Sequence, residues 1–310
     1  MISEPRLKEE DMMNGILPLW KPRGMTSHDC VVKVRTWFKT KKVGHTGTLD
    51  PEVEGVLPIC IGQATKIVPF LTNTKKTYIA EVKLGIATET EDHTGRVIAK
   101  TEVVDPPSQQ EIENVLQSFQ GTITQIPPMY SAVKVKGKRL YEYARSGETV
   151  ERPKRQVTIH HIEHLTNESI DSTVFRIKVV CSKGTYIRTL CVDLGKQLGY
   201  PAHMSHLVRT ESGPIHEHDT ISLETIEKAF TENRHRELLL PMVKGLKHLD
   251  TLYVDESTKK KVLFGQKLPK PREQLTTNPF KVMHGDQLLA VYQIHPQTLH
   301  EVKPVRVFNE

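Results

Sequence analysis

Residues 44–58 read Gly44-His45-Thr46-Gly47-Thr48-Leu49-Asp50-Pro51-Glu52-Val53-Glu54-Gly55-Val56-Leu57-Pro58. Three glycines and an Asp-Pro step interrupt any helical period, and the run from Val56 to Ile61 is apolar enough for a buried strand. The stretch is a loop held between a helix and a strand, and it sets the carboxylate of Asp50 beside a ring-locked proline. Loops braced in this way often carry functional groups. An ordinary Asp-Pro turn has the same local sequence, so the surroundings have to decide.

Upstream, Gly15 to Trp20 reads as a short strand closed by Lys21-Pro22 and Gly24. Ser27 is the expected N-cap of a helix with Asp29 in its first turn and Val31, Val34, Trp37 and Phe38 at helical spacing. Downstream, Tyr78, Ala80, Val82 and Leu84 alternate with Ile79, Glu81 and Lys83 as a strand requires. Ser108 and Glu111 form a capping box ahead of Ile112, Val115, Leu116 and Phe119, with Gly121 closing that helix. Lys136-Gly137 marks a hairpin within Val133 to Leu140. Phe175, Ile177, Val179 and Cys181 share a strand face, and Thr185 is the expected cap of a helix bearing Ile187, Leu190, Leu194 and Leu198.

Strands and helices mix without a βαβ repeat. The expected class is α+β, with a mixed, largely antiparallel central sheet flanked by helices. Three regions are expected: a disordered tail over residues 1–13, a large domain over 14–240, and a small β-rich domain over 241–310 with strands near Leu288–Ile294 and Val302–Val307. Codons for Lys8-Glu9-Glu10 (AAG-GAG-GAA) would resemble a ribosome-binding sequence, so the natural start is expected at Met12 or Met13.

Of the 310 residues, 37% are hydrophobic and 26% charged, and no apolar run is long enough for a membrane span. Pro5 and the acidic Glu9-Glu10-Asp11 do not fit a secretory leader, and a cytoplasmic location is expected. Cys30, Cys60, Cys181 and Cys191 lack paired spacing and read as reduced, buried thiols. His160-His161-His164 and His216-His218 lack the spacing of a helical zinc motif, so no metal is expected. Lys and Arg outnumber Asp and Glu by 43 to 37, a net charge of +6 that points modestly to a polyanionic partner. Lys134, Lys136, Lys138 and Arg139, then Arg152, Lys154 and Arg155, then Lys259 to Lys261 are the candidate phosphate contacts.

Residues 44–66 (GHTGTLDPEVEGVLPICIGQATK) resemble the signature of the TruB family of tRNA pseudouridine-55 synthases. KPRGMTSHD (21–29), KTYIAEVKLGIATETEDHTG (76–95) and CSKGTYIRTLCVDLG (181–195) resemble the same family in the same order. Trp20 departs from it, standing where many members have a small polar or acidic residue. The resemblance implies the pseudouridine synthase fold over 14–240 and a PUA-like, RNA-binding C-terminal domain. It implies isomerisation of uridine 55 in the T-loop, the tRNA T-stem-loop as partner, no cofactor, and a monomer without an obligatory protein partner. Asp50 becomes the catalytic carboxylate. Tyr78 stacks on a flipped base, Tyr186 and Leu207 line its pocket, and His45 fills the gap the base leaves.

Arg188 becomes the salt-bridge partner of Asp50. The placement has a physical reason, since a cation in a helix's first turn is unfavourable unless a carboxylate offsets it. Asp50 is expected buried and ionised in a dry cavity, where Arg188 opposes the pKa rise that desolvation brings. Tyr78 and Leu207 also fit plain core positions. The alternative function is a tRNA-binding folding factor with catalysis secondary. A hydrolase would need a second carboxylate or metal ligands, and Glu52 and Glu54 read as solvent-facing loop charges.

Overall fold

A computed structural model describes residues 13–165 and 172–308. The expected tail lies outside the described residues except for Met13, which packs against the main core. Among the described residues a nine-stranded mixed sheet forms the centre. Its main path runs Gly15–Lys21, Glu54–Ile61, Ala202–Ser212, Lys76–Leu84, Val174–Cys181, Arg155–Leu165 and Gly121–Gln125. Every neighbour along that path is antiparallel except one: Ala202–Ser212 meets Glu54–Ile61 in a short parallel seam of two pairs, Val208 with Glu54 and Arg209 with Gly55. This is the expected fold class.

Period-two alternation divides the apolar residues between two cores. Leu17, Leu19, Leu57, Ile59 and Ile61 face one, shared with Val31 and Val34 of the helix Ser27–Trp37 and with Leu190 and Leu194 of the helix Ile187–Gln197. Ile16 and Cys60, on the opposite face, join Ile67 and Leu71. That second face is covered by Leu246, Leu249, Met283, Leu288, Val291 and Phe308. Met283, Leu288 and Val291 belong to a five-stranded C-terminal sheet ordered Thr251–Tyr253, Phe280–His284, Gln287–Ile294, Glu301–Val307 and Leu268–Pro269.

Two helix caps lie one residue from where the sequence places them. Thr26, not Ser27, caps the first helix: its hydroxyl accepts from the Asp29 amide and the Asp29 carboxylate accepts from the Thr26 amide. Both residues suit an N-cap, and the three-residue reach to an acid decides between them. At the later helix Tyr186 holds the cap position, while the Thr185 hydroxyl donates to Ser182 O at 2.9 Å. The box at Ser108 and Glu111 forms as expected. Lys136 and Gly137, both at positive φ, turn the hairpin between two-residue strands. All four cysteines are buried and unpaired, and among the described residues no helix is long and apolar enough to cross a membrane.

Candidate active site

The Asp50 loop is clamped from the segment just before the first helix. Ser27, released from capping, donates its hydroxyl to Leu49 O and accepts from Leu49 N at 2.9 Å. The fully buried Lys21 ammonium donates to Pro51 O at 3.1 Å and to Pro22 O and Met25 O, and the Gly24 amide also donates to Pro51 O. Burial lowers the Lys21 pKa, opposed by the nearby Cys30, Asp50 and Glu52. Asp50 is thus fixed through its two chain neighbours, which leaves its carboxylate free to face outward.

That carboxylate lies 3.0 Å from Arg188 Nε. Arg188 is the second residue of its helix and is 5% exposed. Its Nη1 and Nη2 donate to Thr90 O and Tyr130 O, each at 3.0 Å, and Asp92 lies 4.0 Å from Nη1. Asp92 is itself held by the amide and hydroxyl of Thr94 and the hydroxyl of Thr90. Two carboxylates and two carbonyls therefore compensate a cation at a helix N-terminus. One expectation is corrected. The Asp50 side chain is 41% exposed, so the buried member of the pair is the arginine. The loop presents the carboxylate at the mouth of the cavity, where water rather than protein covers one side.

Asp50, Tyr78, Tyr186, Arg188 and Leu207 line a single cavity of about 290 Å³, at the small end for ligand pockets. Tyr78 arrives from the strand Lys76–Leu84 and Leu207 from its antiparallel neighbour. Burial raises the Tyr78 phenol above its usual range, with Arg209 opposing the rise. Tyr186 is held by Gln125, whose side-chain amide accepts from the Tyr186 N–H at 2.9 Å and donates to its carbonyl at 3.1 Å. His45 stands apart from this lining. It sits half-buried where the loop begins, its Nδ1 accepting from the Gly47 amide, and burial together with Arg209 lowers its pKa.

Several residues of the site were not read as such in the sequence: Ser27, taken for a helix cap, and Lys76, Asp92, Gln125 and Arg209. Lys76 and Arg209 line the cavity and are both buried. The available signal was period-two register, since Lys76 falls on the face of Tyr78 and Arg209 on that of Leu207. Nothing local tied Gln125 or Asp92 to the site, because Tyr186 and Arg188, through which they join it, are 61 and 96 residues away in the chain.

Comparison with known proteins bears on this arrangement. Residues 35–187 match the model described as TruB family pseudouridylate synthase (N terminal domain), and residues 188–247 the tRNA pseudouridylate synthase B C-terminal domain. A tRNA pseudouridine synthase B of Oceanobacillus iheyensis is 58% identical over 297 residues, spanning 96% of this chain and 98% of the relative. One of Listeria innocua is 50% identical over 302 residues, spanning 96% and 99%. Among solved structures, a chain of an H/ACA RNP bound to a substrate RNA containing 2′-deoxyuridine matches with a TM-score of 0.74 at 26% identity, covering 98% of this chain and 88% of that one. A chain of a Cbf5-Nop10-Gar1 complex matches at 0.73 and 29% identity, covering 98% and 86%.

Proposed function

The chain belongs to the TruB family of pseudouridylate synthases and isomerises uridine to pseudouridine in tRNA, and from that premise we propose that it acts on uridine 55 of the T-loop with Asp50 as its catalytic carboxylate. The reaction breaks the ribose C1′–N1 bond, turns the uracil, and joins C1′ to C5. C5 gives up a proton and N1 takes one, so nothing is oxidised and no group is supplied from outside. Positive charge develops on the sugar as the base departs, and a fixed carboxylate stabilises it. The observation that carries the reading is the Asp50–Arg188 pair at 3.0 Å on the wall of the cavity shared with Tyr78. A target base stacked in the tRNA arm reaches such a cavity by flipping out of the stack. Tyr78 then stacks on it, Tyr186 and Leu207 enclose it, and His45, at the rim, fills the gap left in the RNA. RNA covering the mouth would supply the dry surroundings that the free Asp50 lacks.

We further propose that the five-stranded C-terminal sheet is a PUA-like RNA-binding module to which Lys259–Lys261 contribute phosphate contacts, and that the chain works as a monomer. Asp50→Asn tests the central assignment. Pseudouridine formation in a T-stem-loop RNA is expected to vanish while affinity stays within about tenfold of wild type; turnover by the variant would refute it. A protein acting chiefly as a folding factor would instead restore tRNA function in cells equally well with and without this carboxylate.

A further inference from the structure

Arg209 is the largest of the fully buried side chains among the described residues. Its Nε donates to Val56 O at 2.8 Å and its Nη2 to Gly47 O at 3.0 Å. Those acceptors are neutral, and no carboxylate of the described residues forms an ion pair with it. Burying a charge without a counter-charge is costly, and arginine does not escape by losing its proton. The remaining nitrogen, Nη1, lies beside the cavity at Gly47, where an added Cβ would come within 3.5 Å of it. Across the antiparallel pair Arg209 stands directly opposite Tyr78, so both side chains share a sheet face, and the guanidinium charge opposes the rise that burial brings to the phenol's pKa. The same cavity is lined by Thr46 and Ser131, whose buried hydroxyls have no partner.

We propose that Arg209 is a positioning residue for the departing base: standing opposite Tyr78 across the strand pair, it sets a buried positive charge beside that ring, in the wall of the cavity that the Asp50 carboxylate also lines. The inference rests on the pseudouridine-forming reading of this cavity. When C1′–N1 breaks, the bonding pair leaves with the uracil, so the base becomes anionic as the sugar becomes cationic. Asp50 answers the second charge and Arg209 the first. A fixed charge in a water-poor cavity stabilises such a developing anion without reorganisation. The electron pair later returns from C5 to C1′, so the positive charge is needed only while the base is detached.

The test compares single-turnover loss of the target nucleoside in T-stem-loop RNAs carrying uridine or 5-fluorouridine. Fluorine withdraws electrons, so the base leaves as a more stable anion that depends less on the protein's charge. Arg209→Gln is expected to lose about a hundredfold on uridine and roughly tenfold less on 5-fluorouridine. Arg209→Lys, which keeps the charge, should hold the wild-type ratio of the two rates. An inactive fraction slows both RNAs alike, so the ratio reports charge rather than folding. Should Arg209→Gln fail to fold, Tyr78→Phe, which leaves the buried charge and both carbonyl tethers intact, must hold the wild-type ratio; a selective rescue in that variant would assign the effect to the phenol and overturn the proposal. Equal slowing on both RNAs would make Arg209 a purely structural residue and overturn the proposal. Wild-type protein inert toward the uridine RNA would instead sink the underlying reading.

Discussion

Lys76 is 5% exposed, and its ammonium donates to Thr72 O and Thr74 O, each at 2.7 Å, and to Leu71 O at 3.3 Å. These carbonyls end the short helix Val68–Thr72 and the turn after it, where a cation is favourably placed. Burial, with Arg209 adding to it, nevertheless pushes the Lys76 pKa down from 10.5 to about 8. Between those two values the folded chain binds fewer protons here than the unfolded chain does, so this residue's contribution to stability rises with pH across that window and is flat below it. The difference in unfolding free energy between wild type and Lys76→Met is therefore expected to move in favour of wild type as pH climbs from 7 to 10. Urea titrations at a series of pH values measure it, and a pH-independent difference would mean an unperturbed lysine. At this scale the sequence was half legible. Asp50 and Arg188 stood in recognisable runs, whereas Lys76 and Arg209 looked like strand charges although their register with Tyr78 and Leu207 turned them inward.

Among the elements, the parallel seam between Ala202–Ser212 and Glu54–Ile61 determines where the loop meets the strand that follows it. Gly55 occupies that seam at φ +126°, and a Cβ built there would lie 2.2 Å from Arg209 O and 2.7 Å from Arg209 N. Neither atom can yield, because both belong to the paired backbone. Gly55→Ala is thus expected to cost about 3 kcal/mol or more, and also to lower turnover by shifting Arg209 and the loop carbonyls it holds. An urea midpoint unchanged from wild type would show that the seam tolerates a side chain. The strands and helices themselves were readable, since apolar periodicity is local. The caps were displaced by a residue because Thr26-Ser27 and Thr185-Tyr186 each offer two local solutions. Besides the reach of Asp29 back to Thr26, distant groups separate them: Leu49 claims the Ser27 hydroxyl, and Gln125 claims the Tyr186 amide.

Over the whole molecule, the sequence shows that strands follow residue 240 but not what they cover. Ile16 and Cys60 read simply as strand residues, and only the fold reveals that their face needs the C-terminal sheet. Leu240 is drawn into the arrangement as well, exchanging backbone hydrogen bonds with Ile16 in both directions at 2.9 Å. A shared apolar core implies that the two sheets lose structure together, because separating them would expose Ile16, Ile67 and Leu71 to water. Phe308, 1% exposed and at the far end of the described chain, tests this. The two tryptophans, Trp20 and Trp37, both lie in the N-terminal half, so their fluorescence reports on the large sheet alone. Phe308→Ala removes a buried ring at a cost of about 3–5 kcal/mol. If the sheets are coupled, the tryptophan transition in urea shifts to lower denaturant by the same amount as the far-ultraviolet dichroism transition, and both remain single steps. A tryptophan midpoint that stays at the wild-type value while dichroism gains an earlier step would show two independently stable bodies and remove the shared core as the link between them.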